Sequence, residues 1–406
     1  MTLRTPAPQG WFITAASLPG ALSGVYLGAL AILSRPDRSA PSSSGSAGSL
    51  GVVEHEFPVI AVVVPAHNEE RNVAATVASL AATDYPRDRR LVVVVADNCR
   101  DATASEARAA GARVLERTDD VHQGKGFALA MAFDELLADP TIDAIAVIDA
   151  DTSVSANLLS EMAAAFASGA SAVQADYGVR NANASWRTRL MVVALSCFHG
   201  VRSTARERLG LSCGLRGTGM GFSRQALLDV PHHATGLVED VEHGIELGLA
   251  GHRVRYLGRA HVWGEMPTSG AGASTQRDRW ERGRRQLLRR WGPPLARGSA
   301  HSRVAADLLV DLLVPPLAQI AVGLVAAAAI GTAVLGTGSL PVAFSVLGLG
   351  GVVVYVARGW QLSGTGRQGL VDLAAAPVYV GWKIGSKAIR RLHRQGDQAW
   401  IRTSRE

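Results

Sequence analysis

Three stretches of the chain are apolar and carry no charged side chain over lengths that suit a lipid bilayer. They are residues 11–33, 313–335 and 340–357. A helix of ~20 apolar residues crosses the ~30 Å hydrocarbon core of a bilayer, so each stretch predicts a membrane-spanning helix. A cleaved signal peptide is the alternative for the first stretch, but Arg4 is the one basic residue ahead of it.

The sequence next to these stretches predicts their orientation. Arg35 and Arg38 follow the first stretch, and basic residues favour the cytoplasmic side of a membrane. The uncharged loop 336–340 joins the other two stretches, so we expect it on the opposite side. Residues 304–312, which contain two aspartates, predict a helix that approaches the membrane at its interface.

Between these apolar ends the pattern changes to that of an α/β domain. VIAVVV (59–64), LVVVVA (91–96) and AIAVID (144–149) are short, continuous apolar runs, which are typical of strands buried on both faces of a mainly parallel sheet. Helical patterns separate them. The predicted helices are 69–83, 101–110, 125–138 and 156–168. This alternation predicts a doubly wound sheet that holds its ligand at the carboxyl ends of the strands.

The chain therefore divides into five predicted parts. Residues 36–56 predict a flexible linker because they are rich in Ser, Gly and Pro. Residues 370–389 predict an amphipathic segment on the cytoplasmic membrane surface, and a fourth membrane span is the alternative. The parts are an N-terminal transmembrane helix (1–35), the linker (36–56), a cytoplasmic α/β domain (57–295), an interfacial helix with two transmembrane helices (296–360), and an amphipathic, basic C-terminal segment (361–406).

Composition excludes some classes of protein. Hydrophobic residues make up 48% of the chain and charged residues 19%, which rules out a largely disordered protein. The net charge of +6 is modest and suits anionic lipid, phosphate or nucleic acid, so it does not select a partner. Cys99, Cys197 and Cys213 are odd in number and lack C-x-x-C spacing, which argues against a disulfide framework and a cysteine zinc site.

The first candidate for chemistry is the pair Asp149 and Asp151, at the end of the third apolar run. Side chains two apart on a strand point the same way, so we expect both carboxylates to aim at one point. Two like charges there are costly without a cation, and Mg²⁺ or Mn²⁺ prefers oxygen ligands. By itself the motif is unspecific, because a solvated pair at a strand end has the same pattern.

Other polar residues fall at equivalent positions of the predicted sheet. Pro65-Ala66-His67-Asn68-Glu69 follows the first strand, Asp97 follows the second, and Gly124-Lys125-Gly126 opens a later helix. A lysine at a helix N-terminus can bind a diphosphate together with the backbone N–H groups. An exposed lysine and an Asx turn are the simpler interpretations, but they do not explain why these residues share one topological position.

The ordered set of motifs resembles inverting glycosyltransferase family 2. Besides the residues above, it includes GLRGTGMGF (214–222), VED (238–240) and QRDRW (276–280). It is most similar to the membrane-bound branch with cellulose, chitin, hyaluronan and exopolysaccharide synthases, and it covers residues 59–285. The resemblance implies an α/β fold of the GT-A type, a doubly wound, mixed and mainly parallel sheet, here flanked by transmembrane helices.

The resemblance also implies roles for individual residues. A nucleotide-sugar, usually a UDP-sugar, would be held with Mg²⁺ or Mn²⁺, and Asp151 would be the metal ligand. The residues on the donor side are Pro65, His67, Glu69, Asp97, Lys125, Asp149 and Asp151. Asp240 would be the general base, and the acceptor and diphosphate side would include Glu239, Gln276, Arg279, Trp280, Gly217 and Thr218.

Without the resemblance, these acceptor-side motifs have simpler interpretations. Glu239 and Asp240 would be acids at a helix N-terminus, where the helix dipole favours them. The QRDRW motif would belong to a basic amphipathic surface helix, which we expect to lie against the membrane and its anionic head groups because further arginines are nearby, namely Arg277, Arg282, Arg284 and Arg285. We expect His243 to be a surface histidine and His232 to lie in a loop.

We expect a metal-dependent, membrane-anchored inverting glycosyltransferase. It would use a cytoplasmic nucleotide-sugar and a glycan or lipid-linked acceptor, in exopolysaccharide or glycolipid synthesis, as a multi-pass protein of the inner (cell) membrane. We expect contact with membrane lipids and no nucleic-acid partner. The alternatives are a processive polysaccharide synthase that works as an oligomer or with an export partner, a nucleotidyltransferase-like enzyme, and a non-enzymatic membrane scaffold with a nucleotide-binding domain.

Overall fold

One mixed sheet organises the middle of the chain. The computed structural model describes residues 8–34, 57–233, 236, 238–266 and 270–375. The strands are β1 (Ile60–Ala66), β2 (Arg90–Asp97), β3 (Arg113–Arg117), β4 (Ala144–Val147), β5 (Ser153–Val154), β6 (Ala172–Val179), β7 (Met220–Ser223) and β8 (Val254–Gly264). Their order across the sheet is β3-β2-β1-β4-β7-β6-β8-β5.

The sheet is parallel on one side and mixed on the other. β3, β2, β1 and β4 pair in parallel, as the continuous apolar runs predict. β7 runs antiparallel to both β4 and β6, while β6 and β8 are parallel and β5 closes the edge antiparallel to β8. The predicted mixed, mainly parallel α/β sheet is confirmed.

Helices cover both faces of the sheet, and further helices stand outside it. They are α1 (Pro8–Leu33), α2 (Val73–Ala81), α3 (Thr103–Ala109), α4 (Lys125–Leu137), α5 (Leu158–Ala167), α6 (Trp186–Leu195), α7 (Arg202–Arg208), α8 (Arg224–Asp229), α9 (Glu239–Leu249), α10 (Gly270–Gly298), α11 (Arg303–Leu313), α12 (Leu317–Leu335) and α13 (Leu340–Ser363). A π-helical segment, Ser196–Val201, joins α6 to α7.

β1 shows why the apolar runs become central strands. Ile60, Val62 and Val64 are buried in one apolar cluster with α2 and α5, while Ala61 and Val63 are buried in another with α4. Alternate side chains therefore enter two separate cores, one on each face of the sheet. A continuous apolar run satisfies both faces, whereas an alternating pattern would satisfy one.

Three of the described helices are long and apolar enough to span a membrane. The apolar segments are Gly10–Leu33, Leu317–Leu335 and Leu340–Ser363. The second begins four residues later than the sequence predicts, because Pro315 and Pro316 separate α11 from α12. The third continues six residues beyond the predicted end.

Two pairs of glycines bring α1 and α13 into backbone contact. A methyl group at Gly24 would collide with the Gly348 backbone, and a methyl group at Gly28 would lie 2.8 Å from the Gly351 Cα. Small residues that permit such close approach are common at helix–helix interfaces in membranes. The contact holds α1 against α13, although α1 precedes the α/β domain and α13 begins more than 40 residues after that domain ends.

Part of the predicted C-terminal segment is also described. A further helix spans 366–375, and Asp372 accepts a hydrogen bond from Arg189 Nε of α6 at 2.5 Å. The linker 36–56 and most of the predicted surface segment 370–389 lie outside the described residues.

Candidate active site

The loops after β1 and β2 hold each other at the carboxyl ends of their strands. His67 Nδ1 lies 2.7 Å from the backbone oxygen of Asp97. Asn68 and Asn98 adopt positive φ angles of 53° and 51°. Their side-chain oxygens accept backbone N–H groups of neighbouring loops, from Arg100 at 2.7 Å and Asp119 at 2.8 Å. Asn is the side chain that tolerates this conformation best after glycine, so the turn chemistry fixes the loop shape.

Asp97 is buried at the end of β2 and is paired. Arg117, at the end of β3, reaches its Oδ1 at 2.8 Å, and a second nitrogen of the same guanidinium lies 2.8 Å from Asp119. The Arg117 guanidinium also lies over the ring of Phe127, 5.7 Å from its centre. Arg117 therefore positions Asp97, and no motif in the sequence indicated this role.

Lys125 lies at the centre of the site. It is the first residue of α4, and its Nζ donates to Asp149 Oδ1 at 2.5 Å and to the Gly217 carbonyl oxygen at 2.6 Å. Burial works against its charge, but Asp149, Glu239 and Asp240 outweigh burial and raise the pKa of Lys125. The ammonium therefore stays charged and joins three segments that are distant in sequence.

Gly217 allows this convergence. Its φ of +83° is a left-handed conformation that a side chain would strain. A methyl group there would lie 3.4 Å from Asp240 Oδ2 and 3.6 Å from Lys125 Nζ, so the backbone runs directly beside both charges. The next residue, Thr218, accepts the backbone N–H of Asp149 on its Oγ1 at 3.0 Å and ties the loop to the aspartate.

Glu239 and Asp240 begin α9, as the simpler interpretation of the sequence predicted, and they also face the site. Burial, followed by the charge of Asp240, raises the pKa of Glu239 to about 7. Burial also raises the pKa of Asp240, with Lys125 opposing it. Two neighbouring carboxyls with raised pKa values next to a lysine suit proton transfer near neutral pH.

The expected strand geometry of Asp149 and Asp151 is wrong. β4 ends at Val147, and the two aspartates lie in a turn closed by a hydrogen bond from Thr152 N to Asp149 O at 3.1 Å. The Asp149 side chain is partly exposed and meets Lys125, whereas Asp151 is buried. A turn rather than strand alternation therefore places the two carboxylates.

His243 and His232 are not at the surface. Both are buried, their rings are 4.9 Å apart, and they pack against Phe222 and Phe133 respectively. The expectation of a surface histidine at position 243 is wrong, because α9 turns that face toward the sheet. Burial lowers the pKa of His232 to about 3, so this ring is neutral.

The predicted residues of the QRDRW motif lie in α10. The structure describes the backbone at Gln276, Arg279 and Trp280, and the motif is helical as expected. Further along, Glu242 of α9 accepts from Arg290 at 2.7 Å and from Trp291 Nε1 at 3.1 Å. These bonds fix α10 against the helix that carries Asp240.

Besides Arg117, the structure adds two residues that sequence reasoning missed. Tyr177 of β6 is near Asp149, and burial followed by that charge raises its pKa. Arg216 precedes Gly217, and its backbone N–H donates to Gln174 Oε1 at 2.9 Å. Arg216 lies within the motif 214–222, where a single arginine among glycines carries no specific sequence signal.

The protein side chains alone do not complete a metal site. Among the described residues, no group of three or more His, Cys, Asp and Glu side chains is placed to hold a metal ion. Mg²⁺ is commonly bound by one or two carboxylates together with substrate phosphates and water. Asp149 and Asp151, two carboxylates of the same turn after β4, are the residues that would take part in such a shared site.

Comparison with known proteins identifies the family. The family model described as "Glycosyltransferase like family 2" matches residues 58–283, more than half of the chain. The chain belongs to glycosyltransferase family 2. Enzymes of this family invert the anomeric centre, and the resemblance inferred from the motifs is confirmed.

Two curated members of glycosyltransferase family 2 illustrate the range of relatives. The probable glycosyltransferase YdaM of Bacillus subtilis is 27% identical over 242 residues, covering 57% of each chain. The β-monoglucosyldiacylglycerol synthase of Synechocystis is 30% identical over 283 residues, which is 67% of this chain and 56% of that enzyme. The chain thus spans a little over half the length of these relatives.

A solved structure supports the fold. The mannosyltransferase PcManGT from Pyrobaculum calidifontis, in complex with GDP-Man and Mn²⁺, aligns with a TM-score of 0.56 at 18% identity. The alignment covers 90% of this chain and 97% of that one. The expected GT-A fold of this family 2 chain is therefore confirmed.

Proposed function

We propose that the protein is a membrane-anchored glycosyltransferase that transfers a sugar from a nucleotide-sugar to a hydroxyl group of a lipid acceptor. The observation that carries this proposal is the convergence of Lys125, Asp149, Gly217 and Asp240. The three candidate spans support membrane anchoring. The likeness to β-monoglucosyldiacylglycerol synthase supports a glycolipid product rather than a soluble one.

The donor nucleotide would bind in the loops after β1 and β2. His67 and Asp97 are joined there by the 2.7 Å contact, and Arg117 keeps the Asp97 carboxylate in place. Pro65 is the penultimate residue of β1 rather than part of the loop that the sequence predicted, and Glu69 lies in the loop that follows this strand. A UDP-sugar is the expected donor, since the resemblance favours it.

The diphosphate would lie at the N-terminus of α4. The N–H groups of the first turn and the Lys125 ammonium present positive charge at one point, which suits a phosphate. Lys125 would then share its charge between Asp149 and the diphosphate. That positive charge stabilises the nucleoside diphosphate as it leaves, when its negative charge grows.

A divalent cation, Mg²⁺ or Mn²⁺, would be held by Asp151 together with Asp149. When bound, it would neutralise part of the diphosphate charge. The turn that carries the two aspartates is anchored from the other side, because Thr76 Oγ1 donates to the Ala150 carbonyl at 2.7 Å.

Asp240 would act as the general base. It would accept the proton of the acceptor hydroxyl while that oxygen forms a bond to the anomeric carbon and the bond to the diphosphate oxygen breaks. One such displacement inverts the anomeric centre. Glu239 shares the negative charge of the site and so holds the pKa of the pair in the range where a base works at neutral pH.

The acceptor would approach along α10 and along residues 214–219, the loop before β7 that we call the glycine loop. Gly217 and Thr218 would line its path, since both lie next to Asp240 and Asp149. We also assign Gln276, Arg279 and Trp280 to this side. The catalytic domain would then face the cytoplasm, next to the inner-leaflet lipid.

The test is product formation by the purified full chain in lipid nanodiscs. Radiolabelled UDP-glucose, UDP-galactose and GDP-mannose are supplied with Mn²⁺ and diacylglycerol, and products are separated by size and polarity. We expect one short glycolipid with the wild type and none above background with Asp240→Asn. Asp88→Asn, at an exposed aspartate next to Arg89, is the matched control and should keep full activity.

Two results would contradict the proposal. Equal product from Asp240→Asn and wild type would remove the base assignment. A long polymer with every acceptor would favour a processive synthase that works as an oligomer or with an export partner.

A further inference from the structure

A cluster of arginines lies where the glycine loop meets the helices outside the sheet. Two of these arginines, Arg202 and Arg206, are buried, and the other two are half-buried, whereas arginine is mostly exposed in proteins. We call it the junction cluster, and its members are Arg202 and Arg206 of α7, Arg216 of the glycine loop, Arg284 of α10, and Asp307 and Asp311 of α11.

Two arginines of the junction cluster use both of its aspartates. Arg206 lies 2.8 Å from Asp307 and 2.8 Å from Asp311. Arg202 shares Asp311, at 2.7 Å. Burial opposes the charge of Arg206, but Asp311 and Asp307 outweigh it and raise its pKa. These two arginines are therefore compensated by carboxylates.

The other two arginines of the cluster have weaker partners. An Arg216 nitrogen donates to the Cys213 carbonyl at 2.9 Å, and its Nε is buried without a hydrogen-bond partner. Arg284 donates to the Leu312 carbonyl at 2.7 Å. In the described part of the chain neither forms an ion pair, and Glu281 on α10 is the further carboxylate near Arg284.

The electrostatics of the cluster reflect this imbalance. Burial lowers the pKa of both Arg216 and Arg284, and Asp311 compensates only in part. Both side chains remain charged at neutral pH, because the ordinary pKa of arginine is far higher. A cation withdrawn from water without a paired anion is costly. The four arginines face two aspartates and, with Glu281 counted, three carboxylates, so the cluster is one anion short of balance.

The cluster lies beside the candidate spans. Tyr26 of α1 accepts from Arg206 at 2.7 Å, and Tyr355 of α13 accepts from Arg202 at 2.9 Å. Tyr26 lies seven residues before the end of α1 and Tyr355 eight residues before the end of α13, in the halves of these helices predicted to face the cytoplasm. Phe198 keeps 38% of its surface exposed, and the Arg216 guanidinium lies 4.3 Å from its ring centre.

We propose that Arg216 and Arg284, supported by Arg202, bind the phosphate of an anionic phospholipid at the membrane interface. The guanidinium fork matches the oxygens of a phosphate, and Phe198 would contact the acyl or glycerol part. The inference rests on the proposed membrane anchoring. It adds a lipid site distinct from the donor diphosphate, which has its own cation in Lys125.

The location of the site gives it a consequence for the reaction. Arg216 is joined by one peptide bond to Gly217, whose carbonyl holds Lys125 and whose Cα faces Asp240. A phosphate bound to Arg216 would fix the glycine loop from its membrane side. An anionic lipid would thereby position the loop along which the acceptor approaches.

The experiment measures lipid binding without turnover. The full chain in detergent is titrated with short-chain phosphatidylglycerol, with phosphatidylcholine of the same chain length, and with inorganic phosphate, and thermal unfolding is followed. We expect phosphatidylglycerol alone to raise Tm strongly in the wild type. Arg216→Gln and Arg284→Gln should each weaken the apparent affinity by about tenfold or more, as expected for loss of a charged hydrogen bond.

Controls separate binding from folding. Arg289→Gln, at an exposed arginine of the same helix α10, should keep the wild-type response to lipid. Tm without lipid is measured for each variant, and if Arg216→Gln does not fold, Arg284→Gln decides the question. Equal stabilisation by both lipids, a full response in Arg284→Gln, or a shift with inorganic phosphate equal to that with phosphatidylglycerol would overturn the proposal. None of these readouts uses sugar transfer, so they are independent of Asp240.

Discussion

At the scale of single residues, the site depends on one backbone conformation. The Gly217 carbonyl accepts a hydrogen bond from Lys125, and the Gly217 Cα faces Asp240. The φ angle of Gly217 is one that a residue with a side chain adopts only at a cost of ~1–2 kcal/mol. The charges of the site are therefore held by the main chain as much as by side chains. Lys125 and Asp149 then complete the arrangement.

We expect Gly217→Ala to lower kcat strongly. The methyl group would enter the space between Asp240 Oδ2 and Lys125 Nζ, where contacts of 3.4 and 3.6 Å leave no room for substrate. Gly111→Ala is the matched control, because Gly111 has a φ of +93° and open space around its Cα. Both variants should lose similar stability in thermal unfolding, but Gly111→Ala should keep its kcat, and equal kcat values would refute the steric argument.

The carboxyl pair should give the enzyme an acidic limit close to neutral pH. Asp240 must be ionised to accept a proton, and its raised pKa means that activity is present above that pKa and lost as pH falls through it. Glu239 has a pKa of about 7, and its negative charge, when present, repels that of Asp240. In Glu239→Gln we expect the acidic limb of the kcat/KM profile to move to lower pH, because the variant removes a neighbouring negative charge that opposes ionisation of Asp240. A limb that stays in place would show that the two carboxyls do not interact.

At the scale of elements, the contact between α1 and α13 joins the two ends of the described chain. Gly24 and Gly28 face Gly348 and Gly351 so closely that their backbones touch. Larger residues would separate the helices and disturb Tyr26 and Tyr355, which reach the junction cluster from them. The glycine contacts therefore stabilise the position of the junction cluster as well as the packing of α1 against α13.

Gly351→Val and Gly350→Val test this contact at adjacent positions. A side chain at Gly351 would collide with Gly24, whereas Gly350 has nothing within 4 Å. Overpacking a close interface costs ~1–3 kcal/mol, so Gly351→Val should lower the Tm of the detergent-solubilised protein and Gly350→Val should not. The same loss in both variants would indicate that α1 and α13 do not pack in this way.

At the scale of the whole molecule, much of the fold could be predicted from sequence. Uniform apolar runs gave β1, β2 and β4 within a few residues, and uncharged stretches predicted the helices now seen as α1, α12 and α13. The antiparallel insertion of β7 could not be predicted, because Met220–Ser223 is short and depends on pairing with two distant strands. The buried position of His243 was missed for a similar reason, since α9 packs against a strand far away in sequence.

The candidate site was predictable in its residues and less so in its geometry. The motifs named Lys125, Asp149 and Asp240, and the structure brings these side chains together. The mode of convergence depends on a turn after β4 and on the backbone of Gly217, which no residue pattern specifies. The junction cluster was predictable only in part. The basic helix with Arg284 and the segment 304–312 were each expected at the membrane interface, but their meeting with Arg202, Arg206 and Arg216 was not, because these arginines come from separate elements.

Donor binding and sugar transfer depend on different residues in this account, and calorimetry of UDP binding with Mn²⁺ tests that separation most directly. Asp240→Asn should bind UDP with the affinity of the wild type, because the base acts on the acceptor. Lys125→Gln should bind at least about tenfold more weakly, since it loses a charged contact to the diphosphate. If Lys125→Gln bound UDP as tightly as the wild type, the diphosphate would lie elsewhere and the proposed site would be wrong.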